Sequence, residues 1–181
     1  MSIKKNLFLA LQEQLRTVDR MQWVDKNMGQ VRLLDDTGAL VPMPAVLIEF
    51  SEAAYARTGA GVQRGQCVVR FTVLYENYAD SHADSTNKDV ALRYFDFTEA
   101  VYKALEGFEY PGCTPLTRMG EEEDNDHSNF IVTNLIFATE ITDDSAAQKT
   151  IPLGKSLEVN ATFKTPSSRP EDTTKTDFVI P

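Results

Sequence analysis

A chain of 181 residues is long enough to bury a core without staples and suits one domain, or one domain with an appendage. Its hydrophobic share of 42% excludes a wholly disordered chain, and its net charge of −9 argues against binding along a phosphate backbone, which needs clustered Lys and Arg. The two cysteines, Cys67 and Cys113, form no disulfide framework and read as free thiols of a reducing compartment.

The chain begins with basic residues and a short apolar run. Gln12, Glu13, Gln14 and Arg16 interrupt that run too early for a signal peptide, and no stretch is apolar enough to span a bilayer. The expectation is a soluble, cytoplasmic protein. Residues 3–20 predict a helix, because Ile3, Leu7, Leu11, Leu15 and Val18 recur every three or four positions, with Phe8 widening the stripe. Lys4 and Lys5 fall near the positive end of its dipole and should weaken the first turn. Residues 21–34 predict a short strand and a return, with a turn at 26–29 and Trp23 as a core anchor. The run Asp35, Asp36, Thr37, Gly38 predicts a turn.

Pro42 and Pro44 precede an apolar run, residues 45–50, which reads as a central strand. Residues 51–64 predict a loop longer than a tight hairpin needs. Gly59 and Gly61 form a lone GxG with no helix behind it, so they are not a phosphate loop. From Gly65 to Glu76 the residues alternate. Cys67, Val69, Phe71, Val73 and Tyr75 share one face of a long strand. From Asn87 to Leu105 the spacing becomes helical, through Val90, Tyr94, Phe97, Val101 and Leu105, and Gly107 stands where a left-handed residue stops a helix. The strand face and the helix stripe each need an apolar partner, so Val69, Phe71 and Val73 should meet Tyr94, Phe97 and Val101.

The connection 77–86 brings Asp80, His82, Asp84 and Ser85 close in sequence. Carboxylates and imidazole can share a cation. The same loop also reads as a solvated one ending in an N-cap at Ser85 or Thr86, with Asp89 in the first turn. Residues 113–119 predict a strand that Pro115 assigns to an edge or bulge. Residues 121–127 then hold Glu121, Glu122, Asp124, Asp126 and His127 before a second alternating strand over 129–142. The acidic run should be a hairpin tip. It could hold a cation, but it lacks the spacing of a known calcium loop and equally reads as a solvated tip that discourages edge pairing.

After Asp143 the composition turns polar. Leu157, Val159, Ala161 and Phe163 alternate, so a short strand at 157–163 is expected. A Pro-, Ser- and Thr-rich stretch follows, then an apolar end at Phe178, Val179 and Ile180. This arm either docks on something or frays. No GxSxG, HExxH, CxxC pair or Walker loop occurs, so no catalytic, cofactor-binding or metal-binding residue is assigned. The fold class predicted is α+β: a mostly antiparallel sheet with two main helices on one face over residues 1–142, plus a C-terminal extension over 143–181.

The order of helix 3–20, strand 45–50, strand 66–75, helix 88–105 and hairpin 113–142 resembles the tail-terminator and tail-completion proteins of long-tailed bacteriophages and prophages. The resemblance rests on topology and pattern over about residues 3–142, and the tail after Asp143 exceeds the family's usual pattern. It implies a virion structural protein without catalytic residues. Such a protein forms a ring, commonly a hexamer, at the head-proximal end of the tail, where it contacts the tail tube protein and the head-completion protein. Its expected locations are the host cytoplasm during assembly and the virion tail. Neither membrane contact nor sequence-specific nucleic-acid binding is implied. The alternative is a small α+β ligand- or metal-binding domain or enzyme with its site in the 77–86 or 121–127 loops.

Overall fold

The computed structural model describes residues 2–37, 41–127 and 130–147. The chain divides into two compact units, Met1–Ala147 and Gln148–Pro181. The expected strand at 157–163 and the apolar end lie outside the described residues. Among the described residues the fold is α+β. A five-stranded sheet in the order β1-β2-β3-β5-β4 is antiparallel except where β1 runs parallel to β2. In chain order the elements are α1 (Ile3–Arg16), β1 (Trp23–Lys26), α2 (Gln30–Thr37), β2 (Ala45–Gly59), β3 (Val62–Glu76), α3 (Lys88–Ala91), α4 (Arg93–Leu105), β4 (Thr117–Asp124) and β5 (Phe130–Asp143).

The alternation in β3 and β5 decides where the core lies. Cys67, Val69, Phe71 and Val73 from β3, with Leu135, Phe137 and Ile141 from β5, are buried on one face. Leu7, Leu11 and Leu15 of α1 and Phe97, Val101 and Leu105 of α4 cover that face. At its centre Phe71 and Phe137 meet edge to face, with ring centroids 5.5 Å apart. The expected pairing of strand and helix therefore holds for Phe97 and Val101. Tyr94 stands outside this layer and stacks on Phe95 at 4.0 Å. The reason is a break: the predicted helix is two segments that bend at Leu92, whose backbone sits at φ −89°, ψ −1°. The bend takes Val90 off the buried stripe and leaves it 45% exposed, while Ala91 is buried. Gly107 ends the helix at φ +72°, in the left-handed region as expected.

Three further expectations need correction. Helix α1 ends at Arg16 rather than at residue 20; residues 17–20 form turns, with Arg20 at φ +65°, although Val18 is still buried. Residues 30–37, expected as strand and turn, form α2. It is nucleated by a local network in which the Met28 N–H donates to Gln30 Oε1 and Gln30 Nε2 donates to the Lys26 carbonyl. Val31 and Leu34, one turn apart, pack on Ala45, Leu47, Leu74 and Val132, so α2 lies against the opposite face of the sheet from α1 and α4. Trp23, expected in the core, is 44% exposed because β1 is an edge strand.

Residues 51–64, expected as a loop, are strand. β2 and β3 pair from Ala45↔Leu74 to Gly59↔Val62 and turn through Ala60 and Gly61 alone, both with positive φ. Gly61 has a second constraint: a Cβ there would stand 2.1 Å from the Ala146 carbonyl oxygen. The small residues Ala53, Ala54 and Ala56 give this stretch no apolar contrast, which is why its alternation was illegible. Tyr55 lies over Gly65, and Lys4 sits 5.7 Å from the Tyr55 ring.

Candidate functional site

The two loops singled out in the sequence come together at one end of the sheet. Glu76 at the end of β3 is in register with Phe130 of β5, and Asp124 of β4 with Val132. Asn77, Tyr78, Ala79 and Asp80 line a common depression of about 390 Å³ with His127, Phe130 and Ile131.

The acidic run is only partly a tip. Glu121, Glu122, Glu123 and Asp124 belong to β4 and pair with β5, so alternate carboxylates fall on opposite faces of the sheet. This is a correction to the expected hairpin tip over 121–127, and it disperses the carboxylates. Glu121 accepts from Arg118 Nη1 at 3.3 Å, and Glu122 from Arg70 Nη1 at 3.0 Å. Asp124 Oδ2 lies 3.5 Å from His127 Nε2, and Asp124 Oδ1 accepts from the Asp126 N–H. The His127 ring stacks on Phe130 at 4.6 Å. Arg118 in turn lies 3.9 Å over the Tyr102 ring, so that carboxylate, guanidinium and aromatic ring form a chain of contacts.

In the 77–86 loop Asp80, His82 and Asp84 are exposed. The loop is shaped by its own hydrogen bonds: the Ala79 N–H donates to Asn77 Oδ1, Asn77 Nδ2 to the Ala91 carbonyl, and the Ser85 N–H to the His82 carbonyl. Ser85 Oγ accepts from the Asn87 N–H, but α3 starts one residue later, at Lys88, with no side-chain cap. The cap expected at Ser85 or Thr86 is therefore displaced to Asn87. Among the described residues, no group of three or more His, Cys, Asp or Glu side chains is placed to hold a metal ion.

Two surfaces have no clear signal in the sequence. The first is Tyr78, 74% exposed, whose hydroxyl donates to Glu76 Oε1 at 2.5 Å. That bond to a carboxylate, with the nearby negative charge, pushes the phenol pKa above its ordinary value. The only sequence signal was an aromatic residue inside an otherwise polar loop. The second is the outer edge of β2. β1 covers β2 only from Ala45 to Ile48, and the Asn27 N–H closes that pairing on the Ile48 carbonyl. Among the described residues nothing pairs with the outer edge of β2 from Phe50 to Gly59. Register shifts between Phe50 and Glu52 and between Arg57 and Gly59 bracket that edge, and its middle is Ala53, Ala54, Tyr55 and Ala56, with neither Lys nor Pro.

Other hollows among the described residues are shallow surface features, including one of about 260 Å³ beside Asp19, Arg93, Asp96 and Phe97, one of about 370 Å³ beside Arg16 and Trp23, and one of about 360 Å³ beside Tyr75, Val90 and Arg93. No family model matches the chain, and no curated protein matches it significantly.

Proposed function

We propose that this protein is a structural connector of the tail-terminator or tail-completion type, from a long-tailed phage or a prophage. It forms a ring, of hexamer type, that caps the tail tube and joins it to the head connector. It works by contact and not by catalysis. Its partners are further copies of itself, the tail tube protein and the head-completion protein. It is made in the host cytoplasm and ends in the virion tail.

The observation that carries this reading is the topology: an N-terminal helix, a long central hairpin, a bent helix on the same face as the first, and a closing hairpin whose last strand pairs with β3. The outer edge of β2, which nothing among the described residues pairs with, supports it as well. Natural sheets guard such edges with charge, proline or a covering element, and a ten-residue edge with an uncharged middle is a surface on which another chain can add main-chain hydrogen bonds. The solution mass of the full chain, by light scattering over a range of concentrations, tests the reading. A multiple of the subunit mass supports it, and a monomer that stays monomeric with tail tubes added contradicts it.

A further inference from the structure

The outer edge of β2 has two unlike sides. From Phe50 to Gly59 nothing among the described residues pairs with it. An unpaired strand edge presents a row of N–H and C=O groups at a fixed spacing, and another extended chain satisfies the whole row. On one side of the edge Ala53 packs against the core and Lys4 stands over the Tyr55 ring; on the other, Ala54 and Ala56 are exposed. A strand that extends the sheet here therefore needs apolar side chains on one face and polar ones on the other. Residues 157–163, which lie outside the described residues, have that pattern: Leu157, Val159, Ala161 and Phe163 alternate with Glu158, Asn160 and Thr162. The chain sets out towards them from the β2–β3 hairpin tip, where the Ala146 backbone lies so close to Gly61 that a side chain there would have no room. The edge of the same subunit begins about one strand spacing, roughly 5 Å, from that tip, and two residues cross it. The connection 148–156 is much longer than that step: extended, it spans up to about 30 Å, the length of the edge itself and enough to leave the subunit.

We propose that residues 157–163 of one copy add as a strand to the outer edge of β2 in the next copy. Leu157, Val159, Ala161 and Phe163 then continue the apolar side beside Ala53, main-chain hydrogen bonds fill the edge, and the connection 148–156 bridges the two subunits. Donor segment and acceptor edge are different parts of the surface. Each copy therefore gives to one neighbour and takes from the other, which is the head-to-tail contact that closes a ring. Tethering raises the effective concentration of each further contact. This contact rests on the connector reading, as the join between its subunits.

The test keeps the full chain and combines mass by light scattering with photo-cross-linking. Val159→Pro with Asn160→Pro removes consecutive N–H groups, so whichever of the two faces β2 is lost. The unaltered chain should be multimeric, and this variant should fall to the mass of one subunit with unchanged circular dichroism. Ser167→Pro with Ser168→Pro, beyond the added strand, should leave the multimer intact. A benzophenone side chain in place of Phe163, in multimers assembled from isotope-labelled and unlabelled copies, should link to residues 50–59 and join a labelled copy to an unlabelled one. A multimer that survives Val159→Pro with Asn160→Pro overturns the proposal and leaves the connector reading standing. So do links found only within one chain, which would mean that each copy covers its own edge, and links that fall outside residues 50–59. A single-subunit mass for the unaltered chain, with tail tubes added as well, would defeat the connector reading itself and this contact with it.

Discussion

The two faces of the sheet are built by alternate residues of the same strands, yet one carries a continuous apolar layer and the other is mixed. Under α1 and α4 lie Val46, Ile48, Cys67, Val69, Phe71, Val73, Leu135, Phe137 and Ile141, all buried in one apolar layer. On the other face the fully buried apolar cluster among the described residues, Ala45, Leu47, Leu74 and Val132, lies under α2. Beyond α2, that face mixes partly buried Val68, Ile136 and Ala138 with polar side chains that satisfy one another. Thr72 Oγ1 donates to Asn134 Oδ1 at 2.8 Å, and Arg70 pairs with Glu122 at 3.0 Å. Neighbouring residues in one strand share a backbone conformation, so the element above each face sets its chemistry. Sensitivity to substitution should therefore alternate along β3.

The largest expected effect is Phe71→Ala. The ring is fully buried and edge-on to Phe137, so its loss should destabilise the fold by about 3–5 kcal/mol in equilibrium unfolding. A loss below about 1 kcal/mol, less than a minor core truncation costs, would mean that the face assignment is wrong. Next comes Cys113, at the margin of the same layer. Burial first, and the charge of Cys67 second, push its thiol pKa up from 9.0 to about 11. Only the thiolate reacts, so at pH 9 about one molecule in a hundred would be ionised where an ordinary thiol is half ionised. Alkylation of Cys113 in the folded protein should climb steeply between pH 9 and pH 11, and a rate already level below pH 9 would show that the thiol is not desolvated.

The opposite face should respond more weakly. Asn134→Ala removes the partner of a buried threonine hydroxyl and should cost about 1–2 kcal/mol. A cost equal to that of Phe71→Ala would erase the contrast between the faces. Smallest of all is Glu122→Gln, which removes a largely exposed ion pair with Arg70. Its effect should stay within about 0.5 kcal/mol and shrink further in salt.

Much of the fold was legible because the core writes itself into period and volume. The alternation of 67–75 and 131–141 and the leucine stripe of α1 each identified a buried face. Legibility failed where side chains are small or local bonds override pattern. The stretch Ala53, Ala54, Ala56 has no contrast to read, and its pairing is set by a two-residue turn at Ala60 and Gly61. In α2 the acidic pair Asp35 and Asp36 imitated a turn, while Gln30 and Asn27 were assembling a helix start from side-chain bonds. Trp23 showed the opposite error, since a large ring on an edge strand need not enter the core. At the candidate site the sequence located the acidic segments but not their meeting. The register of β4, β5 and β3 creates that meeting, and its β3–β5 half pairs residues more than fifty positions apart.

Negative-stain imaging of the purified full chain, alone and mixed with tail tubes, tests the connector reading most directly. Closed rings with a central opening, free in solution or seated on one end of the tubes, are expected. Fields of single subunits in both samples, with tube ends bare, would contradict it.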